Sequence, residues 1–175
     1  MMEMTFSGLR TCQLDRQPVM LLRQKDGDAY LPIIIGPYEA QAISLGWQKV
    51  ATPRPMSHDL MGNLLAQLGA QISSIYINDF RDGVFYARLI MDAGGRHSEV
   101  DCRPSDAVAL AVRSGAPILA EEWIVRDAGF VSQEPDVDRS LSRLAQEDRG
   151  EDREDLTVFR DFINSLDLDD LDHKR

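Results

Sequence analysis

The stretch ISSIYINDFRDGVFYARLIMDAGGRHSEVDC, residues 72–102, leaves little choice of structure. Two runs rich in β-branched and aromatic residues flank Arg-Asp-Gly, and a third follows Ala-Gly-Gly. The segment therefore reads as a three-stranded antiparallel meander with tight turns. Asp-Gly at the first turn is what hairpin chemistry demands, so Asp79 and Asp82 are better read as strand and turn residues than as chemistry. Helix-like runs stand on both sides of the meander. In 57–68, Leu60, Met61, Leu64, Leu65 and Leu68 line one helical face until Gly69 stops the helix. In 105–114 a run of small residues forms a second helix, stopped at Gly115.

The rest of the chain fits an α+β domain. Three strands are expected within 2–36, in MTFSGLRTC, VMLLRQ and AYLPIIIG. Pro37 then opens a helix over 37–47, with Ala40, Ile43 and Trp47 at helical spacing. PILAEEWIVRDAGF adds a short strand and a short helix. The expected fold is a mixed or mainly antiparallel sheet packed with three to four helices. It spans residues 1–131, followed by an acidic linker over 132–155 and an amphipathic helix and tail over 156–175, where Leu156, Phe159, Phe162, Ile163 and Leu166 share a face. An order Arg-Pro, Ser, helix, Gly-Ala, β-run occurs twice, from RPMSHD at 54–59 and from RPSD at 103–106. This suggests two similar units, a pseudo-repeat whose origin in duplication or in convergent capping stays open.

Charge and cysteine content narrow the function classes. The net charge of −10 is concentrated beyond Val131, where 14 acids face seven bases. Nonspecific nucleic-acid binding is mostly phosphate neutralisation, so any such role must use a local arginine patch. Sixteen of the 19 basic residues are arginine, the better side chain for bidentate phosphate contacts. Cys12 and Cys102 form no CxxC and no metal-ligand cluster, which favours a reduced, cytoplasmic setting. LPIIIG is far short of the roughly 20 apolar residues that span a bilayer, and MMEMTFSGLR is not a secretory leader.

Candidate site residues gather at the two echoed helix starts. His58 lies in the first turn of its helix, beside Asp59 and four residues after Arg54. Free N–H groups, an arginine and a histidine there make an anion site. Ser57 as N-cap and Asp59 as dipole-complementing acid account for the same residues structurally. At the second start, Asp101, Arg103, Ser105 and Asp106 cluster, with Ser105 as the expected cap. Phosphodiester hydrolysis needs phosphoryl charge held, a nucleophile activated and a leaving oxygen protonated. Arg54 and Arg103, with Ser57 and Ser105, are the candidate phosphate binders. His58, Asp59, Asp101, Asp106 and Glu39 are the candidate catalytic groups. Asp101 and Asp106 are the right type to hold Mg²⁺ or another divalent cation, and no organic cofactor is expected. His97 and His173 read as solvated.

Four blocks, LPIIIGPYEAQAI, RPMSHDLMGNLLAQLGAQI, DGVFYARL and EVDCRPSDAVALAVRSGAPI, resemble in order and spacing the bifunctional nuclease family of bacteria and plants, over roughly residues 2–130. The resemblance implies an α+β fold, RNA or DNA as substrate and a homo-oligomer. It points to Glu39, Arg54, His58, Asp59, Asp101, Arg103, Ser105 and Asp106 as motif positions without assigning their roles. The alternative is a non-catalytic oligomeric module that holds an anionic ligand at its helix N-termini.

Overall fold

The computed structural model describes residues 1–12, 16–132 and 140. The expected linker and C-terminal helix fall outside these residues, apart from Ser132 and Ser140. Three strands come first, β1 (Met2–Thr11), β2 (Pro18–Gln24) and β3 (Ala29–Ile34), followed by helices α1 (Pro37–Trp47) and α2 (Ser57–Gln67). The meander is β4 (Ala70–Arg81), β5 (Val84–Ala93) and β6 (Arg96–Cys102). Helix α3 (Pro104–Ser114), β7 (Ile118–Ala120), α4 (Glu122–Ala128) and β8 (Phe130–Val131) complete the domain. All the strands lie in one sheet, in the order β6-β5-β4-β7-β1-β2-β3-β8. Its pairs are antiparallel except β4 with β7, so the expected mixed α+β fold is observed. No helix among the described residues is long and apolar enough to cross a membrane.

The main core forms between one sheet face and the helices. Met20 and Leu22 of β2, Ile75 and Ile77 of β4, and Ala87 and Leu89 of β5 meet Ile43 of α1 and the middle of α3 there. Strand alternation sends Val19 and Leu21 to the other face, where they pack with Tyr30, itself stacked on Phe130 at 5.5 Å. Helix α3 is buried without a break from Ala107 to Ala111, as expected of a helix that is apolar around its girth. Burying each large side chain of this core stabilises the fold by about 1.5–3 kcal/mol.

The two echoed units become neighbours. Helix α2 runs through Gly69 into β4, and α3 runs through Gly115 into β7, with φ of 69° and 76° at the two glycines. Strands β4 and β7 then pair in parallel, Ile75 opposite Ile118 and Ile77 opposite Ala120. The units differ in burial, because α2 buries only His58. Apart from half-buried Leu65, its apolar stripe, expected from periodicity, faces solvent.

Helices α1 and α3 pack closely because Gly46 has no side chain. A Cβ there would collide with Arg113, standing 2.8 Å from its Cζ, and would come within 3.1 Å of Val112. Arg113 has little freedom to yield, because it donates to the carbonyls of Ala42 at 3.0 Å and Ala109 at 2.8 Å and to Asp59 at 2.6 Å. Replacing a helix-interior glycine by alanine normally gains about 1 kcal/mol. Here overpacking reverses the sign. Gly46→Ala is expected to destabilise the fold by about 1–3 kcal/mol in urea unfolding, and a variant as stable as wild type would show that Arg113 moves aside without cost.

Candidate active site

Three helices begin in the same way. Gly36, Met56 and Arg103 are the N-caps of α1, α2 and α3, all with extended backbone and none with a side-chain cap bond. Ser57 and Ser105 therefore do not cap their helices, contrary to the sequence expectation. Each lies inside the first turn, and an acid two or one residues later, Asp59 or Asp106, takes the N-terminal role instead. Counting from each cap, Glu39, Asp59 and Asp106 all occupy the third helical position. Negative charge there complements the helix dipole, and the Asp59 carboxylate also accepts the Met56 N–H at 2.9 Å. At Gly36 a Cβ would collide with the Glu39 carboxylate, so glycine is what lets Glu39 fold back over the helix start.

Four of the candidate residues converge. Arg103 donates from Nε to Asp106 Oδ2 at 2.8 Å and from Nη2 to Asp106 Oδ1 at 3.2 Å, and it donates from Nη1 to Glu39 Oε1 at 2.8 Å. His58 Nε2 lies 3.2 Å from Asp106 Oδ1. Burial pushes the Asp106 carboxyl upward, but hydrogen bonds from Arg103 and His58 outweigh it and hold the group below the usual carboxylate range. An ionised carboxylate can only accept, so Nε2 of His58 is the donor of this pair, and in the neutral form of the imidazole Nδ1 keeps its lone pair. The hydrogen bonds from Arg103, to Asp106 first and then to Glu39, keep its guanidinium firmly charged. A guanidinium has about five N–H donors. Three of them are used here, and the side chain is 65% exposed, so the remaining donors point to solvent.

The other candidates lie elsewhere. Asp59 turns away from its neighbour His58 and pairs with Arg113 at the far end of α3, 2.6 Å from Nε. That bond first, and the Met56 N–H second, lower its carboxyl. A cavity of about 360 Å³ opens beside this pair, next to Met56 and Lys49, and not over His58. Asp101 stands opposite Arg88 across the sheet. Its neighbour Cys102 packs against the main core, so alternation puts Asp101 on the opposite face from Asp106. Arg54 is exposed and makes no ion pair among the described residues. Helix geometry explains the difference from Arg103. Measured from the cap, Arg103 is the N-cap itself, whereas Arg54 stands two residues before Met56, so the two arginines of the echo are not equivalent. Ser57 is exposed, and Ser105 is buried within α3.

The donor set does not fit a resident divalent ion. Asp101 and Asp106 lie on opposite faces, both oxygens of Asp106 are engaged, and no three His, Cys, Asp or Glu side chains among the described residues converge as metal ligands. Cys102 is no nucleophile either, since burial pushes its thiol up to about 11. Two relevant residues were missed by sequence reasoning. Arg113 read as an ordinary basic residue in a last helical turn. Tyr38, 82% exposed in the first turn of α1 beside Glu39, carried no signal beyond being an aromatic among polar neighbours.

The sequence pattern of the bifunctional nuclease domain matches residues 20–133, which include the whole cluster. An uncharacterized protein of Mycobacterium tuberculosis strain H37Rv is 42% identical over 169 residues, covering 97% of each chain. Bifunctional nuclease 2 of Oryza sativa subsp. japonica is 29% identical over 123 residues, covering 68% of this chain and 38% of the rice protein. Bifunctional nuclease 1 of Arabidopsis thaliana is 25% identical over 117 residues, covering 65% of this chain and 36% of the plant protein. The chain thus spans well under half the length of these plant nucleases.

The lowered carboxyl of Asp59 ties stability to pH. A group held below its unfolded value, about 3.9 for aspartate, contributes stability above that pH and loses it as pH falls through the folded value. Asp59→Asn should therefore be less stable than wild type at neutral pH, and the gap should close as urea titrations move down through the acid range. A gap of constant size would remove the ionised Asp59–Arg113 pair as its source.

Proposed function

The chain belongs to the bifunctional nuclease domain family, and from that premise we propose that the cluster of His58, Asp106, Arg103 and Glu39 hydrolyses phosphodiester bonds of RNA or DNA with low sequence specificity. The observation that carries this reading is the buried His58 imidazole, hydrogen-bonded to an ionised carboxylate beside an exposed guanidinium with donors to spare. Arg103 holds the phosphate through those donors. Nδ1 of His58 takes the proton of the attacking hydroxyl or water, and the resulting imidazolium returns a proton to the leaving oxygen. Asp106 keeps the imidazole in the required tautomer and stabilises its charged form, the role a carboxylate plays in hydrolytic triads. Glu39 fixes the far side of Arg103, so the guanidinium is preorganised for phosphate.

The charge balance explains why specificity is expected to be low. Two carboxylates and one guanidinium leave the cluster negative while His58 is neutral. Three helix N-termini, each equivalent to roughly half a positive charge, offset this. Attraction to phosphate is therefore local and modest. Tyr38 supports a single-stranded substrate, since an exposed ring stacks on an unpaired base of any sequence.

Cleavage of single-stranded oligonucleotides by protein purified alongside its variants tests the reading. His58→Ala and Asp106→Asn should lower kcat by about 10²–10⁴, while Arg103→Ala should also raise KM. Asp101→Asn, on the other sheet face, should leave both constants unchanged. Cleavage should persist in EDTA. Equal rates in wild type and His58→Ala would sink the proposal, and complete loss in EDTA would assign the chemistry to a divalent ion and not to His58.

A further inference from the structure

The cavity beside Asp59 and Arg113 is separate from the polar cluster, since neither His58 nor Arg103 nor Asp106 lines it. Adjacent residues of α2 serve the two places, His58 turning to Asp106 and Asp59 to Arg113. Its volume of about 360 Å³ is enough for a small organic molecule. Leu45 and Gly46 of α1 and Val112 of α3 line it with Arg113, all of them partly buried. Lys49, Val50 and Met56 also line it and are exposed, which puts them at its mouth.

The polar groups around this space are mostly donors. Arg113 donates from Nε and Nη1, but Nη2 gives no hydrogen bond among the described residues. The unpartnered side-chain atoms that are sealed from solvent are Tyr30 Oη and Asn78 Oδ1, so Nη2 keeps an opening. Lys49 has no acidic partner among the described residues. Acceptors, by contrast, are engaged. Both Asp59 oxygens accept, one from Arg113 and one from the Met56 N–H. The carbonyls of Ser44, Leu45 and Gly46 at the end of α1 accept from the N–H groups of Gln48, Val50 and Lys49.

We infer that this cavity is a second binding site, which takes a small organic monocarboxylate with an apolar body. The carboxylate meets Lys49 and Arg113, and the body lies against Leu45, Val50, Met56 and Val112. Charge selects the head group. Arg113 and Asp59 cancel, and Lys49 leaves the cavity with one surplus positive charge, which matches a single negative one. A guanidinium grips phosphate through a fork of two nitrogens. Here Nε and Nη1 are already taken, so the fork is not on offer. The site stands apart from the proposed nuclease chemistry.

Straight-chain carboxylates from acetate to octanoate, titrated into the full-length chain with isotope-labelled Met, Leu and Val methyl groups, test it by NMR. Hexanoate should shift the methyl signals of Leu45, Val50, Met56 and Val112 to saturation. Affinity should rise by up to about fourfold per added methylene until the chain fills the cavity. Hexanol, equal in length but uncharged, should bind about tenfold more weakly, and Lys49→Gln should weaken hexanoate by a similar factor. Val50→Trp, which fills the mouth, should abolish binding, with methyl signals remote from the cavity as the check on folding. Arg103→Ala should bind hexanoate as wild type does. Affinity lost in Arg103→Ala would put the carboxylate on the cluster's exposed guanidinium and overturn the inference. So would hexanol binding as tightly as hexanoate with shifts at Leu60, Leu64 and Leu68, the mark of adsorption to the apolar face of α2. An affinity indifferent to chain length or to Lys49→Gln overturns it as well.

Discussion

Arg113 ties three helices together. Its guanidinium sits almost buried at the end of α3, donating to a carbonyl of α1, a carbonyl of its own helix and the Asp59 carboxylate at the start of α2. A buried charge is tolerated only when its partners are supplied, so α1 and α2 cannot drift without leaving it uncompensated. The space it occupies exists because residue 46 is glycine. With α1 and α3 held side by side, their first turns coincide, and Glu39, Arg103 and Asp106 meet. With α2 held by its third residue, its second residue, His58, is aimed at Asp106. The polar cluster is thus a consequence of one arginine a full helix away from it.

The three first-turn acids are alike in position and different in use. Asp59 is spent on architecture, accepting from Arg113 and from the α2 backbone. Glu39 and Asp106 share one arginine, and Asp106 alone also receives an imidazole. That division separates a structural ion pair from a site with an unused lone pair and unused donors. Since the Arg103 end of its bridge to Glu39 is largely exposed, solvent screens the pair and it contributes little to stability. Its value lies in geometry.

Much of this was legible in the residues. Alternation and turn chemistry located the strands, and Asp82-Gly83 adopts the positive φ pair, 51° and 73°, that its composition demands. Glu39, His58, Arg103 and Asp106 were all candidates by residue type and place. Three things were not legible. Capping preference pointed to Ser57 and Ser105, but an acid at the third position already serves the helix start, and the extended caps fell on Met56 and Arg103. Period-two patterning does not say which parity faces the helices, so Asp101 could not be separated from Asp106. Periodicity also revealed an apolar face on α2 without saying that the domain leaves it uncovered. The Arg-Pro echo misled by matching letters two residues out of step with the helix caps.

The sheet order has a kinetic consequence. Strands β1–β3 and β4–β6 are each antiparallel ladders of chain neighbours, able to form from short loops. Between them stands only the three-residue strand β7, paired to β1 through Met2–Met4 and to β4 through Ile75–Ile77. Closing that junction joins segments more than a hundred residues apart, and contacts of such separation come late because their loop entropy is lost before they are formed. During synthesis the N-terminal strand must keep one edge open until residue 120 has emerged. By strand order the sheet is two ladders joined at one seam, and the helix carrying Arg103 and Asp106 leads into the strand that forms it.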